Sequence, residues 1–574
     1  MQRKFNRLLR SSGPRRGSAL VLVLISFMLL MMMSGGVLLV STQQTRDRVR
    51  YEAYKDEFAA AELAINKAFG HIVFMVRNGT PDLLDEIDNI NAPVLDGYDF
   101  PAFEVAETFN GNETVPEGEK WAGLNLHRER YSIDVTAVKT GGSADRFERP
   151  GVSMTQNLEI TYIPLYLFAI FYDPLMEIAP GPPMVVNGLV HANGDAYIQA
   201  NEKLDFQKNV SVAGRFYHGR APGSGQSDSS GTVRFTKPPD TLVSMLQGGS
   251  WLDSRLSNWA SLATATWGGG LRDKSHGAPQ LNLPIPDGVN PYALIERESV
   301  SDGFALQNEK FERKAGLKIL ADSAGNVTAV DKYGNPVNLW YPDPGNPTLK
   351  KWIYSKTTFY DAREGKTVTS IDLNLGNMVE GGIMPSNGIL YVSNEDQSGK
   401  PGVVRLTNGA KLPQSGVVEG FTVATDDPLY IKGDYNTVNK TLAMVACDSL
   451  MILSNAWNDA NSTNYSNRIA SETTVNTVCM QGNVPTGGGY YSGGVENYFR
   501  FLENWSGKDL NFSGSIILMW ASQKFLGKWG QSNVYSPPNR KWSWDTALGG
   551  INGPPGAPRV VELEKKDWKM ASAD

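Results

Sequence analysis

The chain has 574 residues, with 54 Lys and Arg against 60 Asp and Glu, for a net charge of −6. Beyond a short basic start no Lys or Arg stripe is present, so the charge gives no reason to expect a nucleic-acid partner. The 58 Gly, 32 Pro, 22 Tyr and 13 Trp argue against a helical body, and the length allows two or three separate cores.

Residues 1–17, MQRKFNRLLRSSGPRRG, carry six Arg or Lys and no acid. Ser18 to Thr45 then contains no charge at all, and its apolar part, 19–40, would span roughly 33 Å as a helix, enough to cross a bilayer. The cations place the amino terminus in the cytoplasm and everything after about residue 45 outside it. From Arg46 the chain continues without Pro or Gly, and Tyr51, Tyr54, Phe58, Ala61, Ile65, Ala68 and Phe69 recur at three- and four-residue steps. One helix is therefore expected to leave the membrane as an amphipathic rod, with Gly70 as its stop. Hydropathy alone fits three starts: a cleaved secretory signal, a plain signal anchor, and this continuous helix. The signal peptide fits least well, because the run ends in STQQTRDR with no A-x-A site.

The basic leader ending at Gly17, the start SALVLVL from Ser18, and FAAAELAINKA at 58–68 together resemble type IV pilin-like proteins, in particular PilX-type minor pilins, while GGVENYFRFLENW, PLYIKGDYN and LSNAW further on are similar to large PilX-like exported proteins. The pilin resemblance covers about the first 70 residues. It implies cleavage after Gly17 by a prepilin peptidase and methylation of the new amino terminus on Ser18. It also implies other pilins or pseudopilins as partners, a single inner-membrane pass with a periplasmic or extracellular C-terminal domain, and a bacterial type IV pilus or type II secretion-type filament. The role so implied is structural and not enzymatic, without a cofactor. Most pilins have Glu at the fifth mature position, whereas here it is Leu22, which is similar to the tip pseudopilin of type II secretion. A carboxylate that balances a neighbour's terminal ammonium is then missing, as expected for a subunit with no neighbour ahead of it.

The fold class expected is α+β, mainly β. After the leader (1–17) and the helix (18–70) comes a pilin-like region at 71–165, where Tyr131, Ile133, Val135 and Ala137, then Leu158, Ile160 and Tyr162, alternate with polar residues. A β-rich region at 166–380 contains short strands between Asn-Gly, Gly-Asp and Lys-Asn corners, with an insertion at 220–300 that includes the flexible GRAPGSGQSDSSG. The same texture returns at 381–480. Short, regularly spaced strands favour a β-solenoid, but no fixed-length repeat emerges from counting, and a sandwich stays open. In the aromatic block 481–574, NYFRFLENW reads as a helix and LNFSGSIILMW as a strand.

Trp542 and Trp544 in that block are either core and lid or a surface for a glycan or a partner pilin. His71, His127, His191, His218 and His276 stand singly with no H-E-x-x-H, so zinc is not expected. No P-loop glycine precedes the Gly-Lys pairs, and no G-x-S-x-G elbow is present. Asp426, Asp427 and Asp434, with Asp195 and Asp205, are candidates for paired-carboxylate glycan cleavage, though turn chemistry explains each of them. Residues 85–99 offer oxygens for calcium without the EF-hand order. Cys447 and Cys479, the two cysteines, are either a disulfide or buried thiols.

Overall fold

The computed structural model describes residues 18–78, 86–87, 89–117, 119–121, 123–140, 151–550 and 552–570. Gly17 and its leader lie outside the described residues, as do positions 85 and 88 of the calcium candidate. Helix α1, Ser18–Asn78, is a single element of 61 residues. It does not stop at Gly70. A glycine mid-helix costs about 1 kcal/mol, but Ile72 and Met75 beyond it are buried against the sheet, and that packing outweighs the cost.

Strands β1 (Tyr98–Thr114), β2 (Asn125–Lys139) and β3 (Val152–Pro164) form an antiparallel meander. The inward residues of the expected alternation, Ile133, Val135 and Ala137 on β2 and Leu158 and Ile160 on β3, pack on Ala60, Ala61, Ala64, Ile65 and Ala68 of α1. Alanines at those helical positions let the rod lie close on the sheet. Glu57 of α1 accepts the Lys139 amide at 2.9 Å, which ties the helix to the end of β2.

Most of the rest of the chain is a stack of parallel strands, with antiparallel hairpins inserted between 232 and 374. Its longest sheet uses β4 (Phe168–Tyr172), β5 (Leu189–Ala192), β6 (Val210–Val212), β7 (Leu271–Arg272), β8 (Leu317–Ala321), β9 (Ile389–Asn394), β10 (Phe421–Thr425), β11 (Ala443–Cys447), β12 (Thr473–Asn483), β13 (Asp509–Ala521) and β14 (Asn539–Trp544). The spatial order is β7-β6-β5-β4-β13-β12-β11-β10-β9-β8, with β14 also on β13 and a twelfth strand, Val327–Asp331, antiparallel on the outer edge of β8. The chain thus enters the stack in its middle at β4 and builds outward to β7. It then crosses to the far end and builds back from β8 until β13 pairs with β4, Ile516 opposite Ile170. Ile170, Val190 and Val210 are register partners, as are Met176, Ala196 and Phe216, so the outward arm does have a repeat, of twenty residues. Counting misses it because insertions stretch the later steps. Val233 stacks on Leu204 only after the 219–231 loop, and the segment then rejoins the stack at 232–237.

Inward residues of the stack form one core with Trp267, Tyr435 and Trp505 inside it. The outer face of the long sheet is covered by the crossover, where Leu283, Leu294, Ile295 and Phe311 pack with Phe171, Tyr391 and Met480. NYFRFLENW is not a helix. One turn at Val495–Asn497 is followed by extended chain, with Arg500 bridging to Met451 in parallel.

The last strand, β15 (Arg559–Met570), leaves the stack and pairs antiparallel with β3, Pro164 opposite Arg559. Everything from 165 to 558 is therefore inserted in a hairpin between neighbouring strands of the helix-bearing sheet. Joining 46–164 to 559–570 through a short Asn-Gly turn should give a domain that melts cooperatively by circular dichroism. A chain that stays unfolded would show that the sheet depends on the stack.

Candidate functional site

Two surfaces stand out. The first is the outer half of α1. Every Leu, Ile, Val, Met and Phe from Leu20 to Val40 is more than half exposed, and among the described residues this is the one helix long and apolar enough to cross a membrane. Three of its hydroxyls bond back within the helix, Ser34 Oγ donating to the Leu30 carbonyl at 2.7 Å, Thr42 Oγ1 to that of Leu38 at 2.8 Å and Thr45 Oγ1 to that of Ser41 at 2.8 Å. Nothing in the fold approaches Gly35 or Gly36, so the small-residue notch at 34–36 is open to a neighbour.

The second is a cleft of about 800 Å³ where residues 119–121 and 123–124, between β1 and β2, lean over the outer face of β5, β6 and β7, with Trp544 on one wall. His191, Ser211 and Arg272 on its floor are successive register partners on neighbouring strands, and buried Phe171 continues the row beyond His191. His191 is buried and lies 2.6 Å from Ser211 Oγ through Nδ1 and 3.0 Å from Asn193 Oδ1 through Nε2. The surrounding bonds settle the tautomer. Asn193 Oδ1 accepts the Leu281 amide at 2.8 Å, while its Nδ2 donates to the Leu281 carbonyl at 2.9 Å and to Asp173 Oδ1 at 2.8 Å. Asn193 Oδ1 is thus an acceptor, so His191 Nε2 carries the proton and the Nδ1 lone pair faces the Ser211 hydroxyl. Burial pushes His191 down to about 4, the Asn193 bond opposing, and the ring is neutral. No local motif marks this pair in the sequence. The twenty-residue step from His191 to Ser211 was the signal.

Trp544 is half-buried, its Nε1 donating to the Tyr166 carbonyl at 3.0 Å, and Trp542 packs edge-on against Phe499 at 5.2 Å. Both rest on the stack core, and Trp544 alone of the two lines the large cleft. Cys447 and Cys479 are buried free thiols and form no disulfide. Cys479 is the register partner of Val445, not of Cys447. Two residues of stagger on strands about 4.8 Å apart put the Cα atoms roughly 8 Å apart, beyond the ~7 Å a bridge tolerates.

The candidate acids do not converge on an open groove. Lys524 Nζ lies 2.6 Å from Asp427 and 3.1 Å from Asp426, and Asp427 also accepts the Asn394 amide. Asp434 accepts the Thr474 amide, Asp195 the Arg215 amide, and Asp205 is held by Arg234 at 2.7 Å. His218 stacks on Trp251, His276 caps a turn through Asp273, and His127 lies beside Glu129. Among the described residues no group of three His, Cys, Asp or Glu could hold a metal ion.

Two measurements follow. Thiol titration should detect no reactive cysteine in the native protein and two per chain in denaturant; fewer in denaturant would indicate a bridge. Glu496, buried where the stack closes, is pushed up to about 7 by desolvation, the Ala179 amide and the Arg540 and Arg220 guanidinium groups opposing. The native state thus keeps a proton that the unfolded chain, with a carboxyl near ~4.3, has released. Stability from this group is full below about pH 4 and lost as pH rises through about 7. Glu496→Gln should therefore flatten the fall in melting temperature between about pH 5 and about pH 8, and parallel profiles for the two proteins would contradict the assignment. No family model matches this chain, and no curated protein does. Among solved structures, the competence-associated pilin ComZ from Thermus thermophilus aligns at 10% identity over 90% of this chain and 98% of that one, with a TM-score of 0.29, a likeness too loose to carry an argument.

Proposed function

We propose that the chain is an assembly component, minor pilin-like or pseudopilin-like, of a type IV pilus or type II secretion-type filament. The observation that carries this reading is the division of labour along α1, whose bare uncharged half continues without a break into a half buried in a sheet. The outer half stores the subunit in the inner membrane and then packs against the helices of other subunits, with the notch at 34–36 permitting close approach. The leader cations hold the amino terminus in the cytoplasm, prepilin peptidase cuts after Gly17, and Ser18 is methylated. Two features support a tip position: Leu22 in place of an acid, and a body of 165–558 too bulky to repeat along a thin filament. We read that body as a β-solenoid.

A second reading, an anchored surface protein that binds a glycan, is favoured by the cleft that both Trp544 and Trp121 line. Glycan-array binding lost in Trp544→Ala but kept in Trp542→Ala would promote it.

Mass spectrometry of the native protein should find N-methylserine at position 18. A chain that still begins at Met1 would remove the assembly reading and leave a tethered β-rich body.

A further inference from the structure

We propose that Ser211 is a nucleophile activated by His191, and that the cleft above it accepts a short-chain carboxylic ester carried on a polar scaffold. This goes beyond the assembly role and departs from the expectation of a purely structural protein. It does not depend on how α1 is used.

The arrangement supplies the parts of an acyl-transfer site in the order chemistry needs them. Ser211 is half-buried at the cleft floor, with its Oγ at 2.6 Å from His191 Nδ1, inside the range for a nucleophile and its general base. Asn193 fixes the ring with the proton on Nε2 and is itself clamped by Leu281 and Asp173. Asn193 and Asp173 are positioning residues, and they leave the Nδ1 lone pair aimed at the hydroxyl. Arg272, the register partner of Ser211 on the next strand, is exposed and lines the same cleft, so its guanidinium can meet negative charge that develops beside Ser211. The volume of about 800 Å³ suits a substrate larger than the acyl group alone. Gln207 and Asn209 supply polar edges for the scaffold, and Trp544, held in place by the Asn187 side chain, an apolar wall.

The chemistry balances with water as the only co-reactant. Ser211 Oγ bonds to the ester carbonyl carbon while its proton passes to His191 Nδ1, and the carbonyl oxygen takes up the electron pair as an oxyanion beside Arg272. Collapse of the oxyanion breaks the bond to the alcohol oxygen, which leaves with the proton from Nδ1. Water then adds to the acyl-serine, Nδ1 again receiving a proton. Collapse of this second oxyanion breaks the bond to Ser211 Oγ, which takes the proton back from Nδ1 as the carboxylic acid departs.

The alternative is a serine–histidine contact that only fills the face of the stack. Full-length protein in detergent should form a fluorophosphonate adduct on Ser211, located by peptide mass spectrometry, and should hydrolyse p-nitrophenyl acetate. Ser211→Ala should abolish both, and His191→Gln should slow both by about 100-fold or more. Circular dichroism melts check that the variants fold. If His191→Gln does not, Ser211→Cys provides an independent reading, because a thiol beside the Nδ1 lone pair should be alkylated by iodoacetamide faster than free cysteine. No adduct on Ser211 in the folded protein, equal rates in a folded His191→Gln variant, or alkylation no faster than free cysteine would each overturn the proposal.

Discussion

Twenty-two uncharged residues of α1, 19–40, have no protein covering them, and the rest of the structure depends on that fact. Burying one large aliphatic side chain is worth roughly 1.5–3 kcal/mol, so the bare stretch represents on the order of tens of kcal/mol of unfavourable hydration. A folded domain is stable by only about 5–15 kcal/mol. This surface therefore needs lipid or other helices around it, while the body attached to it must fold without its help. The fold meets that requirement by giving the inner half of the same helix an alanine-lined seat on a four-stranded sheet.

That sheet also carries the large body. Because β3 and β15 are antiparallel neighbours, the stack hangs from two strands side by side and not from one flexible linker. The junction is reinforced by ion pairs. Arg128, almost fully buried, meets Glu113 at 3.1 Å and Glu119 at 2.9 Å, and Arg130 meets Glu159 at 2.7 Å. Lys566 of β15 reaches the same Glu159 at 3.1 Å, linking the last strand to β2 through β3. Arg77, near the end of α1, pairs with Asp287 of the crossover at 2.9 Å, although both are exposed and such a pair adds about 0–1 kcal/mol. Inside the stack, closure of β13 on β4 joins two arms made from distant parts of the chain, so neither arm ends at an unpaired edge there.

The helix and its sheet were legible because each has one buried and one exposed face, which leaves a period of about 3.6 or 2 in the sequence. Ile133, Val135 and Ala137 show the pattern plainly. Gly70 misled because a local breaker was weighed without the packing of Ile72 and Met75 beyond it. The stack was only partly legible. Its strands are covered on both faces, so FAIFY at 168–172 and AMVAC at 443–447 read as continuous apolar runs without alternation. Insertions hid the twenty-residue step, and β15 was missed because Lys565, Lys566 and Asp567 mark it as polar although its partner strand lies far away in sequence. Of the candidate residues, the cysteines could not be judged before the stagger of β11 and β12 was known. The His191–Ser211 pair needed the rung register itself.

The central claim is that the bare half of α1 passes from lipid to a bundle of sister helices. The most direct measurement replaces Phe27 with a photoreactive benzoylphenylalanine in cells and identifies what it crosslinks during filament assembly. The account predicts adducts to the amino-terminal helix of another filament subunit. Adducts to lipid alone, while filaments are being assembled, would contradict it.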